Sequence, residues 1–315
     1  MDLPGDRQIP PPPASSVEYC YRHPTVATRV HCTRCGRPIC PECMIPAPVG
    51  HQCPECVQEA RREFRQGPGR RIAVRSITAT KVLLVAIVGV FVLEIAAGGA
   101  ASLGSGGRSQ ELLRLGALQP FLVADGDFWR LFTAMFLHFN LFHILFNAWA
   151  LWIFGAMVER DFGTPRFVLI YVITGFVASA TSYAFGPETL IGVGASGAIF
   201  GVFGAFVAYN YRRRHLALAS ANLRWATMLL LINAIFAFSI SSIDWRAHLG
   251  GFVTGLAAGL VAEGWGTRQQ RTLVTTLGFV GLVAVGIALV MWRTVQLQAL
   301  PEFEQAVEFF RLVSG

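Results

Sequence analysis

Few polar residues interrupt the apolar part of this chain, and four of them form a chemical set: Ser196, His248, His143 and Asn147. A serine hydroxyl becomes a nucleophile when a base takes its proton, and imidazole is the commonest such base. An attacked carbonyl then needs donors for its developing negative charge. The Ser196 backbone N–H, left free at a helix start, can serve, as can the Asn147 amide, with help from His143. His143 and Asn147 are four apart and share a helix face. Gly197, Gly201 and Ala205 make one face of small residues, and Gly251, Gly255 and Gly259 another. Such faces let helix backbones approach closely in lipid, and packing them brings Ser196 and His248 within hydrogen-bonding reach. Among the other polar residues, His138 serves equally well to hold an outer loop. Asp244 is expected in an outer loop rather than as a third catalytic group. Glu94 is expected at the interface or facing the bundle, and Glu159 is expected to pair with arginine at a span end. Gly194-x-Ser196-x-Ala198 lacks the second glycine of the nucleophile elbow of soluble hydrolases.

A second set lies near the N-terminus, where all seven cysteines fall between Cys20 and Cys56. In order they read Cys20-x2-His23, Cys32-x2-Cys35, Cys40-x2-Cys43 and Cys53-x2-Cys56. Each pair has the spacing that brings two ligands onto one tetrahedral Zn2+, so the eight make two closed structural sites with no position open for substrate. Disulfides are the other reading, less suited to pairs so closely spaced. So short a segment has too little apolar core to fold alone, and the metal supplies the folding free energy. Gly36, Pro38, Pro41, Pro46 and Pro54 provide turns around the pairs. His31 is expected to be a bystander. An RNA-binding knuckle would need a basic and aromatic stripe, which the segment lacks.

The elements that must position the first set are membrane spans. The chain has 315 residues, is 53% hydrophobic and carries a formal charge of +7. Several uncharged runs reach the ~20 residues needed to cross ~30 Å of hydrocarbon, which argues against a soluble fold. The positive charge is mostly arginine beside these runs, where it sets topology and meets lipid head groups rather than nucleic acid. Spans are expected at about 80–98, 138–158, 167–185, 196–211, 225–241, 247–263 and 272–292. Arg61, Arg62, Arg65, Arg70, Arg71 and Arg75 precede the first span and predict a cytoplasmic N-terminus. The clusters at Arg160 and Arg166, at Arg212, Arg213, Arg214 and Arg224, and at Arg268 and Arg271 then fall on the same side. Spans 2, 4 and 6 run parallel from the outer side, placing Ser196, His248, His143 and Asn147 at similar depth. The expected organisation is a Pro-rich disordered tail (1–19), a zinc-binding module (20–56), a basic linker (57–79), a six-helix core (80–265), and a seventh span with a C-terminal tail (266–315).

Several motifs together resemble the rhomboid family of intramembrane serine proteases. The run from His138 to Asn147 resembles its second span, Gly194-Ala195-Ser196-Gly197 its Gly-x-Ser-Gly motif, and His248 to Gly255 its catalytic histidine helix. Trp129-Arg130 resembles the pair in its first outer loop, and Glu159-Arg160 the charged end of its second span. The resemblance implies an all-α polytopic fold, with Ser196 as nucleophile, His248 as base in a dyad without an acid, and His143, Asn147 and the Ser196 N–H as the oxyanion site. It implies no catalytic cofactor. Where the family often has tyrosine stacking on the histidine, this chain has Phe200, which can stack but offers no hydroxyl. The N-terminal pairs resemble a B-box-type zinc finger, which implies interleaving: the first and third pairs share one zinc, the second and fourth the other. His51 could replace Cys56, since that family often ends on histidines.

These readings together predict an endopeptidase acting on transmembrane segments of other membrane proteins in a lipid bilayer, with a cytoplasmic protein partner possible for the zinc module. The alternative is an inactive relative that binds membrane clients without cutting, against which the intact serine and histidine argue. A transporter or channel would show inverted repeats and broken helices, and no internal repeat is present. The richness in Ala, Gly and Arg favours a bacterial plasma membrane.

Overall fold

A computed structural model describes residues 17–47, 49–66, 78–98, 109–239, 243–264 and 266–314. The Pro-rich run Pro10–Pro13 and the linker arginines Arg70, Arg71 and Arg75 lie outside them. Chain contacts divide the protein into two compact units, Met1–Arg75 and Ser76–Gly315.

The first unit is built from two small hairpins, β1 (Glu18–Tyr19) with β2 (Ala27–Thr28) and β3 (Ile45–Pro46) with β4 (His51–Gln52), followed by helix α1 (Pro54–Gln66). Its buried centre is six of its cysteines and Ile39, with little else apolar. Helix α1 carries Cys56 and runs on through Gln66, so regular structure crosses the expected start of the linker.

In the second unit, α2 (Thr78–Gly98) is followed by three short helices, α3 (Ser109–Leu115), α4 (Pro120–Ala124) and α5 (Arg130–Thr133). Six long helices come next: α6 (Leu141–Phe162), α7 (Thr164–Phe185), α8 (Ser196–Arg212), α9 (Ala217–Ser239), α10 (Trp245–Glu263) and α11 (Arg268–Gln298). Among the described residues, four helices, α2, α6, α7 and α11, are long and apolar enough to cross a membrane. The result is a mostly helical, polytopic membrane bundle. Helix α8 is its axis: apolar and small residues from Gly197 to Ala208 are buried against α7 and α10.

Four details differ from the sequence expectations. Helix α6 starts at Leu141, because the Asn140 side chain accepts the His143 N–H at 2.9 Å and caps it, leaving His138 in the preceding turn. A π-helical stretch, Leu151–Gly155, interrupts α6 in mid-span. Glu159 is 1% exposed, and among the described residues its partners are not arginines. It accepts the backbone N–H groups of Ala79 (2.9 Å) and Thr80 (2.8 Å) and the hydroxyls of Thr80 and Thr164 (both 2.7 Å). The carboxylate thereby satisfies orphan donors at the start of α2, where the helix dipole favours negative charge. Finally, the expected C-terminal tail contains a helix, α12 (Phe303–Ser314). It buries Phe303 and Val307, stacks Phe310 on Phe121 of α4 and pairs Arg311 with Asp125 at 2.7 Å.

Candidate functional site

Two close approaches build the site. The first joins α8 and α10. A Cβ added at Gly251 would strike the Gly197 carbonyl oxygen, and one at Gly255 would strike that of Gly201. Only glycine at these positions lets the backbones meet, as the small-residue faces predicted. At the head of this pair Ser196 Oγ and His248 Nε2 lie within hydrogen-bonding distance, 2.8 Å apart. The Phe200 ring stacks on the His248 imidazole, with centroids 4.2 Å apart and planes at 14°. That contact fixes the ring from behind while leaving its edge towards the serine.

The second approach is at Gly194, two residues before the serine. Its φ of +126° lies where side chains are disfavoured. An added Cβ would also lie 2.7 Å from His143 Cε1 and 2.8 Å from Nε2. The His143 ring therefore rests on the segment that delivers Ser196, and glycine is required there for both reasons. Hydrogen bonds to the loop before α6 hold that segment. Leu118 and Gly192 exchange N–H···O bonds of 2.9 and 2.8 Å, and the Gly194 N–H donates to Ala134 O at 2.8 Å. The loop itself is tied down by buried Arg130, which pairs with Asp127 at 3.0 Å and donates to the carbonyls of Leu113 (2.8 Å) and Ala117 (3.1 Å).

The structure thus brings Ser196, His248 and His143 together. Asn147 is buried one turn along α6 and donates to His143 O at 2.9 Å, with a second amide hydrogen remaining. His138 is fully buried and packs its ring edgewise on His143 at 5.1 Å, and its backbone N–H donates to Glu94 at 3.1 Å, so Glu94 faces the bundle. Asp244 caps α10 by accepting the N–H groups of Arg246 and Ala247, both at 3.2 Å, and takes the Ser182 hydroxyl. Its carboxylate is committed to the helix start. Sequence reasoning quoted Gly194 only as part of a motif, and the tight turn was the signal that it positions His143.

In the first unit the ligand-type residues fall into two groups, Cys20, His23, Cys40 and Cys43, and Cys32, Cys35, Cys53 and Cys56, each with its ligand atoms within 4.8 Å of one another. The first and third pairs thus meet, as do the second and fourth, and Cys56 rather than His51 completes the second group. Four sulfurs around a tetrahedral ion with bonds of about 2.3 Å stand about 3.8 Å apart. Cys35 Sγ and Cys53 Sγ are 3.8 Å apart, and His23 Nδ1 lies 3.2 Å from Cys40 Sγ and 3.6 Å from Cys43 Sγ. Burial works to raise the Cys20 thiol, but backbone N–H groups of Arg22, Cys40 and His23 outweigh it and bring it down to about 6. Burial and the neighbouring thiols Cys20 and Cys40 push Cys43 up to about 11. Cys32 and Cys56 show the same split, at about 6 and about 12. Such a pocket cannot hold several thiolates without a compensating cation, so the donor set fits a metal ion. His31, outside both groups, pairs with Glu18.

A helical membrane bundle with a serine hydroxyl bonded to imidazole at the head of two glycine-packed helices defines a narrow class. Residues 125–264 match the family model of the Rhomboid domain. The chain is 36% identical over 204 residues to the rhomboid protease GluP of Bacillus subtilis (strain 168), covering 62% of this chain and 38% of that protein. It is 35% identical over 133 residues to the putative rhomboid protease YdcA of the same organism (42% and 66% of the two chains). It is 37% identical over 171 residues to RHOMBOID-like protein 1 of Arabidopsis thaliana (53% and 43%). The matched part spans less than two thirds of each of these relatives. Residues 125–264 are therefore a Rhomboid domain, and the chain is similar to rhomboid proteases.

Proposed function

We propose that this chain is an intramembrane serine endopeptidase that cleaves transmembrane segments of other membrane proteins with Ser196 and His248. The observation that carries the reading is the 2.8 Å hydrogen bond between Ser196 Oγ and His248 Nε2. In the reaction, Ser196 Oγ gives its proton to Nε2 as it attacks the scissile carbonyl carbon. Negative charge on the carbonyl oxygen is met by the Ser196 N–H, the Asn147 amide and His143. The C–N bond breaks as His248 protonates the leaving amine. A water that loses its proton to His248 then releases the acyl group from Ser196. No metal or cofactor enters these steps.

The basic clusters support a cytoplasmic N-terminus, with water reaching the site from the outer side, and the richness in Ala, Gly and Arg favours a bacterial plasma membrane. In this reading residues 20–56 hold two structural Zn2+ ions in a B-box-like module available to a cytoplasmic protein partner. The tail (1–19), linker (57–79), six-helix core (80–265), and seventh span with C-terminal segment (266–315) complete the organisation. The test is cleavage of a generic transmembrane substrate in liposomes by the wild type and by Ser196→Ala. Cutting by the wild type alone supports the proposal. If neither protein cuts several substrates but the wild type co-purifies with them, the chain is a client-binding relative instead.

A further inference from the structure

A cavity of about 310 Å3 opens at the end of the bundle opposite the serine, where α6, α8 and α10 finish and α7 and α11 begin. Four arginines line it, Arg166, Arg212, Arg213 and Arg271, against two carboxylates, Asp161 and Glu263. Glu263 is already engaged, by Arg212 at 2.8 Å and by Arg213. Arg213 also lies over the Tyr209 ring at 3.6 Å, which holds its guanidinium at the wall. Arg271 spends its Nε on Gly266 O at 3.0 Å and keeps its outer N–H groups. Arg166 is exposed, and its guanidinium makes no hydrogen bond or ion pair among the described residues. The cavity thus has more cation than anion, and its spare donors are guanidinium groups, whose forked N–H pairs suit phosphate oxygens. It also lies at the ends of three membrane-length helices, α6, α7 and α11, at the level where lipid head groups sit.

We propose that this cavity binds the phosphate of an anionic phospholipid head group, with Arg166 and Arg271 as its principal ligands. The Arg212 and Arg213 pairs with Glu263 form the wall between the ends of the helices that carry Ser196 and His248. Occupancy of the site needs no peptidase activity, so it can be tested apart from that reading.

The experiment uses the full chain in neutral detergent and measures binding of fluorescent phosphatidylglycerol, with fluorescent phosphatidylcholine as the zwitterionic comparison. Arg166→Gln/Arg271→Gln is set against Arg114→Gln/Arg224→Gln, which removes equal charge outside the cavity. Expected is preference for phosphatidylglycerol and a loss of at least about ten-fold in affinity for the cavity variant only, as two charge-assisted bonds vanish. Equal losses in the two variants, or equal binding of the two lipids by the wild type, overturn the proposal. Displacement by millimolar inorganic phosphate supports a site for phosphate as such. Resistance to it, with the cavity variant still defective, supports one that needs the lipid.

Discussion

Replacing Gly255 by alanine tests the helix pair on which the site depends. A Cβ there would lie 2.6 Å from the Gly201 carbonyl carbon and 2.7 Å from its Cα, where ordinary contact begins at 3.4 Å. The Gly201 carbonyl oxygen lies closer still, so the helices must part locally by at least about 0.8 Å to relieve this overlap. Carried to the head of the pair, that shift stretches the 2.8 Å bond between Ser196 and His248 to at least about 3.6 Å, beyond hydrogen-bonding range. Misplacement of about 1 Å at a reacting group costs on the order of 100-fold in rate. The overlap costs about 1–3 kcal/mol, partly offset by the gain of about 1 kcal/mol when alanine replaces glycine in a helix. The assay is the rate of fluorophosphonate labelling at Ser196, with thermal unfolding alongside. Gly281→Ala is the control, because nothing lies within 4 Å of its added Cβ. Labelling is expected to fall at least ten-fold in Gly255→Ala while Gly281→Ala labels normally. Wild-type labelling and an unchanged Tm in Gly255→Ala would refute the reasoning.

Three other outcomes follow from the same geometry. Asp244→Asn keeps a good helix cap and is expected to label within about two-fold of wild type, where loss of a triad acid would cost about 10,000-fold; Asp244→Ala lowers the Tm through loss of about 1 kcal/mol of capping. Gly194→Ala forces an unfavourable φ and a clash with the His143 ring, so the rate falls by about 10 to 100-fold with the fold retained, as circular dichroism would check. For the metal sites, Cys20→Ser/Cys40→Ser is expected to leave one zinc per chain by elemental analysis and Cys20→Ser/Cys32→Ser none; the reverse pattern would mean that neighbouring pairs share an ion.

The parts of the site legible in the sequence were those carried by periodicity. Glycines every fourth residue on α8 and α10 predicted the contact that joins Ser196 to His248. Paired cysteines gave the donors of the metal sites, whereas the pairing order came from resemblance, because spacing within pairs says nothing about which pairs meet. The start of α6 was misplaced because the apolar pattern continues through Leu137 and Phe139, although Asn140 was a usable cap signal. Glu159 went astray for a different reason: its partners are backbone donors about 80 residues away in sequence, and no side-chain pattern marks them. Helix α12 did leave a trace, since Phe303, Val307 and Phe310 recur at helical spacing.

The central claim is that Ser196 is a nucleophile activated by His248. Fluorophosphonate labelling of the wild type, Ser196→Ala and His248→Ala in detergent tests it most directly, because it needs no knowledge of the substrate. The account predicts labelling of the wild type at Ser196 and none of either variant. Labelling of His248→Ala at the wild-type rate, or none of a folded wild type, would contradict it.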